Sequence, residues 1–513
     1  MPYYLPENAI RRAILHIAKY GDTDIFPNLA EIAFFKDKID DVTAELSTLD
    51  LNSYNPGGAL ESLAPKSRYG FRIAHQLMPV DTVLYIAATL AIADQIEEFR
   101  VPSPNAFSYR YNDSDDGEIF APAQSYRDWL NYHKKVIDDD LFGDIKYVIS
   151  TDISDFYQRI NFHRLENYLN NWSNHKGAAN YIKKYIKKIR AKQSFGLPVG
   201  GVASRLLAEL ILTDTDKELI DFEYEFSRFV DDFRIFIKAD TDPYEALALL
   251  AEQLATNEGL SLNVAKTKVQ SVEDFASSLN KSLADVSGDA EEAAIEILTA
   301  DIYLEEEPDP DDIAKLSHLN LVEHLSEELE NEYWDHSKIR VLFRALRITQ
   351  HEDSIVFISE NFEKLLIFSK DLVLLMEALN ETSPGCFNHL IDRIIASILS
   401  PPAASVQLIQ CWLMEIFVRR VISISATKLK KLEVLHSSLL ARQVIRIKHS
   451  RADVNFFRKQ KTKIEEFSDI EKYSLVQGAS CLPKDELKNW IPSVRVKFKF
   501  PTSDLFYEWV QED

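Results

Sequence analysis

The sequence predicts an α+β domain followed by an all-α domain, and three observations predict it. Short β-rich stretches, KYVISTDI at 146–153 and RFVDDFRIF at 228–236, are interleaved with helical stretches in an order that suits an α+β layer and not a doubly wound sheet. After about residue 276 the β-rich stretches stop, and apolar segments at helical spacing recur at 337–349, 354–379, 387–399, 405–424 and 427–447. Pro and Gly punctuate this second half at 383–385 (SPG) and 400–402 (SPP), as expected of antiparallel helices in a HEAT-like or irregular solenoid. The expected division is therefore 1–275 and 276–513.

Taken in order, the chain opens with PENAIRRAILHIAKY, whose spacing predicts an amphipathic helix starting near Pro6. The N-terminal stretch lacks the charged-then-apolar layout of a signal peptide. Residues 1–60 read as mixed helix and loop ending in the turn-rich NSYNPGG, and VDTVLYIAATLAIADQIEEF reads as long helix. A strand over 146–153 follows, rich in β-branched residues, then helix over 163–192 and again over 203–220. After the hairpin around Asp231 and Asp232 come a helix over 243–258 and GLSLNVAKTKVQS, a turn feeding a strand.

Composition narrows the function classes. The 513 residues, 46% hydrophobic and 27% charged, have an ordinary globular composition. No stretch approaches the roughly 18 consecutive apolar residues of a membrane span, so no membrane role is expected. Cys386, Cys411 and Cys481 lie too far apart for metal-ligand spacing or a disulfide framework, which fits a reducing, cytoplasmic setting. The net charge of −23 argues against a surface made for indiscriminate duplex binding.

That charge is uneven. Residues 287–335 carry seventeen acids against one lysine, which marks an acidic face or linker. Two basic clusters stand apart from it. YIKKYIKKIRAK sets Lys183, Lys184, Lys187 and Lys188 on one helical stripe and Tyr181, Ile182, Tyr185 and Ile189 on the other. Residues 428–463 hold eleven Lys or Arg against two acids, with Arg442, Arg446, Arg458 and Lys459 interleaved with Phe456 and Phe457. A basic groove with aromatic platforms suits single-stranded nucleic acid; a solvated amphipathic helix explains the first cluster equally well.

Asp231 and Asp232 sit in an aromatic, β-branched run, where strands disfavour Asp and apolar neighbours make a buried carboxylate costly. An exposed hairpin tip would explain the pair, and so would a hairpin presenting carboxylates to divalent cations. Context favours the second. ISTDISDFYQRI has Asp152 leaving a strand and Tyr157 five residues on. FGLPVGGVASRLLAEL is a Gly-rich loop entering a helix, with Ser204. FVDDF follows, and then GLSLNVAKTKV with Lys266. Each segment is weak alone; their order makes them strong together.

In that order the four segments resemble the palm of reverse transcriptases, over roughly 60–270, with PKSRYGFRIAHQLMPVD and AFSYRY similar to the fingers segments that precede it. A narrower resemblance, carried by GDTDIFP, FSYR, GLPVGG…S…AE and YSLVQGASCLPKDEL, is to bacterial abortive-infection (defence-associated) polymerases, the P2-prophage type in length and layout. The resemblance implies a fingers and palm domain in which Asp152, Asp231 and Asp232 hold two Mg²⁺ or Mn²⁺ ions for transfer of dNTPs. It implies Lys266 as the general acid toward the leaving pyrophosphate. Arg72, with Arg68 beside it, is implied in pairing with triphosphate oxygens. Ile153, Phe156, Tyr157, Gly200 and Ser204 are implied in nucleotide binding, Tyr157 as the ring that excludes a 2′-hydroxyl.

Two departures from the family pattern stand in the second motif, where its usual Gln is Val199 and the Pro after its Ser is Arg205. No thumb is recognisable after residue 270. The abortive-infection relatives extend DNA without a template and prime on a protein hydroxyl. The resemblance therefore implies an antiphage polymerase whose single-stranded DNA product is joined to a Tyr or other hydroxyl of the protein. It also implies a closed homo-oligomer, trimer favoured over hexamer. The alternatives are a template-dependent, retron-like reverse transcriptase, against which the missing thumb argues, and a catalytically silent nucleic-acid-binding scaffold, against which the three retained carboxylates argue.

Overall fold

The computed structural model describes residues 1–171, 175–190, 193–283 and 320–512. These form two compact units, each drawn from three stretches: 1–16, 50–57 and 83–283 make the first, and 17–49, 58–82 and 320–512 the second. This grouping differs from a single division near 275. The reason lies in tertiary partners that spacing does not encode. Trp412 Nε1 donates to Ile25 O at 2.8 Å, Leu408 N to Ser62 Oγ at 3.1 Å and Lys370 Nζ to Asp24 O at 2.7 Å, so the C-terminal helices gather early segments around them. Most of the acidic segment expected over 287–335 lies outside the described residues.

Six strands are present among the described residues. β1 (Leu60–Pro65) and β2 (Phe71–Gln76) form an antiparallel hairpin in the second unit. The first unit holds a four-stranded antiparallel sheet of β3 (Ile145–Asp152), β4 (Glu225–Phe229), β5 (Asp232–Lys238) and β6 (Lys268–Ser271), in the order β4–β5–β3–β6. β3 and β5, paired from Ile145↔Lys238 to Asp152↔Asp232, occupy the centre. Helices Tyr126–Asp138 and Val272–Leu283 cover one part of the sheet, burying Val136, Phe275 and Leu279 against Val148 and Phe236. The first of these helices begins with a reciprocal cap between Ser125 and Asp128, which satisfies two free backbone donors.

Several helices are shorter than their apolar patterns. The helix expected over 203–220 breaks at Leu212 into Val202–Ile211 and Thr213–Asp221. The one expected over 243–258 is an α-helix, Pro243–Gln253, that widens into a π turn, Leu254–Glu258, before Gly259 ends it at φ +69°. The wider turn carries the Glu258 carboxylate inward, 3.3 Å from Arg164 Nε. Burial pushes this carboxyl up to about 7, against the pull of Arg164 and helped by Asp214 and Asp216.

Because the folded state favours the protonated acid, its stabilising effect is present at low pH and is lost as pH rises from the ordinary glutamate value of 4.5 through about 7. Glu258→Gln is therefore expected to match the parent near pH 4.5 and to gain on it as pH rises toward 8. The gain should be on the order of 3 kcal/mol, read as a widening difference in melting temperature.

In the second unit, helices His336–Thr349, Ser369–Thr382, Gln407–Val418, Ser438–Ser450 and Asp469–Gly478 pack in sequence order, each against the next. The helix expected over 354–379 is interrupted by a 3₁₀ turn, Lys364–Phe368, and that over 427–447 by the non-helical stretch 430–437. Helix Gln407–Val418 is buried through most of its length, and its polar residues are matched: Gln410 Nε2 donates to Ile398 O at 2.7 Å, and Glu415 accepts from Gln443, Arg446 and Arg419. No single described helix is long and apolar enough to cross a membrane.

The same packing corrects the second basic cluster. Arg442 is buried, with Nη2 2.8 Å from Glu31 Oε2 and Nε 3.1 Å from Ser474 Oγ, and Arg446 is paired with Glu415. Phe457 is buried under Phe456, whose ring lies beneath Lys448. These cations neutralise interior carboxylates, and no base could stack on Phe457. Arg458, bonded to Glu486 at 2.8 Å, and Lys459 remain at the surface. Arg442→Ala leaves Glu31 buried without its charge partner and is expected to destabilise the second unit by about 3–5 kcal/mol; urea unfolding measures it, and a loss confined to DNA binding would contradict it.

Candidate active site

The sheet brings the three aspartates together at one end. Asp152 is the last residue of β3 and Asp232 the first of β5, and their Cα atoms are direct cross-strand partners. Asp231 precedes β5, and its carbonyl accepts from Ile153 N at 3.1 Å, which ties the hairpin to the turn that follows β3. Three carboxylates so placed repel one another. Burial, then Asp152, then Asp232 push the Asp231 carboxyl up to about 8. Burial also raises Asp232, against the opposing pull of Arg234.

Lys266 meets the cluster at Asp152. Its Nζ lies 3.0 Å from Asp152 Oδ2, and the same oxygen accepts from Asn263 Nδ2 at 3.1 Å. Burial works against the Lys266 charge, but the bond to Asp152 prevails and raises its pKa. The loop that carries both residues is fixed to β3: Asn263 N donates to Asp152 O at 2.7 Å and Thr151 Oγ1 lies 2.7 Å from Thr267 Oγ1. Asn263 is a site residue that sequence reasoning passed over, although it stands in the quoted GLSLN segment.

Among the described residues, no three His, Cys, Asp or Glu side chains converge into a ready metal cage. Asp152 has one oxygen engaged by Lys266 and Asn263, so the cluster is held in its own ion pair. The donor set nevertheless fits a hard divalent cation. All three donors are carboxylates, and their mutual repulsion, visible in the raised Asp231, is what a cation relieves.

The connection between β4 and β5 is a two-residue hairpin, with Phe229 opposite Asp232. Its first residue, Val230, has φ +57°. That conformation suits glycine at this position. For a β-branched residue it costs on the order of 1–3 kcal/mol and persists only when the surroundings hold it. They do so on both sides. Val230 N donates to Ser108 Oγ at 2.8 Å and Val230 O accepts from Arg228 Nη1 at 3.1 Å.

Behind them lies a buried ionic group. Arg228, fully buried, grips Asp216 with Nε and Nη2 at 2.7 Å and reaches Glu209 Oε2 at 2.8 Å. Arg100 Nη2 also meets Glu209 Oε2 at 2.8 Å, and Ser108 Oγ donates to Glu209 Oε1 at 2.6 Å. Despite burial, the two arginines hold the Glu209 carboxyl below its ordinary range. None of these residues was assigned a role from sequence. The available signal was a full-length charge inside apolar runs, Arg228 in EFSRFV and Glu209 in LLAELI.

The remaining expected residues divide. Tyr157 lies half-buried at the turn after β3, and its carbonyl accepts from Leu197 N at 2.8 Å, which sets the Gly-rich loop beside it. Burial and then the field of Tyr109 push its phenol well above the usual range, with Asp231 adding to them. Gly196 and Gly200 take φ +93° and +99°, and a Cβ on Gly196 would stand 3.0 Å from Gln158 O. Ile153 and Phe156 are buried core, and the Ile153 N–H is already given to Asp231, so neither presents a side chain to a nucleotide.

Ser204 is fully buried, 3.3 Å from Tyr85 OH, and braces helix Val202–Ile211 from inside. For Ser204 this corrects the expected nucleotide contact, whereas the burial of Ile153 and Phe156 places only their side chains in the core. Arg72 lies on β2 of the second unit, opposite Ala64, and Arg68 stacks over the Trp334 ring at 4.3 Å. In helix Lys176–Ile189, Tyr181, Ile182, Tyr185 and Ile189 are buried, as the stripe predicts. Lys187 and Lys188 are exposed; Lys187 pairs with Glu166, Lys183 with Asn170 and Lys184 with Tyr54 O.

Residues 84–298 match the family model described as reverse transcriptase (RNA-dependent DNA polymerase). No curated protein matches the chain. Similar solved structures include apo telomerase from Candida tropicalis (14% identity, TM-score 0.31, covering 70% of this chain and 68% of that one). They also include telomerase with a TWJ fragment of telomeric RNA from Candida albicans (11%, 0.31, 75% and 66%) and from Candida tropicalis (14%, 0.32, 75% and 64%).

Proposed function

We infer that residues 84–298, a polymerase domain of the reverse transcriptase type, add dNTPs by two-cation nucleotidyl transfer, in an antiphage DNA polymerase that primes on its own hydroxyl and needs no template. The observation that carries the chemistry is the pairing of Asp152 with Asp232 across β3 and β5, with Asp231 beside them. Polymerases of this family use divalent metal ions. When bound, Mg²⁺ or Mn²⁺ activates the attacking hydroxyl and neutralises the triphosphate.

The residues of the chain do the rest. Asp152, Asp231 and Asp232 would hold the ions. Lys266, charged and tied to Asp152, stands ready to give a proton to the leaving pyrophosphate once that carboxylate is drawn away. Tyr157, whose carbonyl accepts from Leu197 N of the Gly-rich loop, would narrow the space for a 2′-hydroxyl with its ring. Tyr157→Ala is therefore expected to lower the preference for dNTP over NTP by about tenfold or more; an unchanged ratio with activity retained would make it a packing residue.

Template independence, protein priming, the defence role, a bacterial cytoplasmic setting and a homo-oligomer, trimer favoured, are proposed on the resemblance of GDTDIFP, FSYR and YSLVQGASCLPKDEL to the abortive-infection polymerases. The test is incubation with labelled dNTPs and Mg²⁺ or Mn²⁺, with and without template, followed by protease or nuclease. Template-free label that remains on the protein is expected. Strict template dependence would support a retron-like enzyme, and no incorporation in any arm would overturn the enzymatic reading.

A further inference from the structure

We propose that Ser108 is a positioning residue that locks the Val230 peptide in its left-handed conformation and thereby aims Asp231 at the cation site. The proposal rests on the reading of Asp231 as a cation ligand. Ser108 Oγ sits between two partners: it accepts from Val230 N at 2.8 Å and donates to Glu209 Oε1 at 2.6 Å. One hydroxyl therefore uses both its donor and an acceptor lone pair, and its rotor has a single setting.

Glu209 cannot drift, because Arg100 and Arg228 both hold its other oxygen at 2.8 Å. Ser108 is itself fixed by its backbone. Its carbonyl accepts from Arg100 Nη2 at 2.6 Å, and the preceding residue, Phe107, donates its N–H to Arg228 O at 2.9 Å alongside β4. The chain of contacts runs from an immobile ionic group, through one hydroxyl, to the residue immediately before Asp231. Val230 needs such a lock because its φ of +57° is one that valine leaves when free to do so. A glycine there would adopt the same φ without strain and so would not depend on a lock to offset it.

That difference supplies the test. Mn²⁺ affinity, read from the electron paramagnetic resonance of the free ion, and melting temperature are measured for the full chain and for Ser108→Ala, Val230→Gly, the double variant and Asp231→Asn. Ser108→Ala is expected to weaken Mn²⁺ binding about tenfold in the parent and less than about twofold in the Val230→Gly background. An equal loss in both backgrounds, or a lowered melting temperature with unchanged Mn²⁺ affinity, would overturn the proposal and leave Ser108 a structural residue. Should Ser108→Ala not fold, the same comparison is made with Ser108→Cys, whose thiol is a weaker donor and acceptor. Asp231→Asn with parental Mn²⁺ affinity would instead overturn the reading of Asp231 as a ligand, independently of Ser108.

Discussion

Asp231→Asn is expected to reduce nucleotide incorporation by about 10³-fold, the equivalent of roughly 4 kcal/mol of lost transition-state stabilisation, while leaving the fold intact. The two halves of this expectation come from the same geometry. Asp231 stands beside the Asp152–Asp232 pair, and its carboxyl is pushed up to about 8 by burial and by those two neighbours. As a raised acid it favours folding in its protonated form, and that contribution disappears as pH rises from the ordinary aspartate value of 3.8 through about 8. Asparagine removes the repulsion along with the charge. Without divalent cation, the variant should melt at or above the parent's temperature at pH 8. A residue kept for structure would show the opposite pattern, with a lowered melting temperature and a modest loss of activity.

Arg228→Ala is expected to destabilise the first unit by about 3–5 kcal/mol. The guanidinium is fully buried and is shared between Asp216 and Glu209. Its removal leaves two interior carboxylates with one charge partner, Arg100, which reaches only Glu209. Arg228→Lys should recover only part of the loss, because a single ammonium cannot reproduce the two-atom grip on Asp216 together with the bond to Glu209. Urea unfolding of the two variants measures this. Parental midpoints in both would mean that the ionic group contributes nothing to the fold.

The contrast between these residues explains what the sequence made legible. Asp152, Asp231, Asp232 and Lys266 could be placed because each belongs to a short segment with its own local signature, and the segment order implied strands that lie side by side. β3 and β5 then pair with the register that sets Asp152 opposite Asp232. Arg228, Glu209 and Ser108 also stand in quoted segments, RFVDDFRIF, GLPVGG…S…AE and FSYR, but nothing local ties them to one another or to Asp216. They lie on separate elements, and only the packed interior matches each buried charge to its partner.

The basic cluster at 428–463 failed for a related reason. A count of cations does not distinguish Lys459, at the surface, from Arg442, buried against Glu31 more than four hundred positions earlier in the chain. Ser204 was misplaced because a hydroxyl after a Gly-rich loop looks alike in sequence whether it faces a ligand or Tyr85. The discontinuous division of the chain was hidden in the same way, in contacts such as Trp412 with Ile25.

The most direct test of the cation-binding reading is a crystal structure of the protein soaked with Mn²⁺ and a dNTP, with anomalous scattering used to locate the metal. Two Mn²⁺ peaks are expected among the carboxylates of Asp152, Asp231 and Asp232, with Lys266 drawn off Asp152. Full dNTP occupancy with no anomalous peak at these three residues, or peaks held elsewhere, would contradict it.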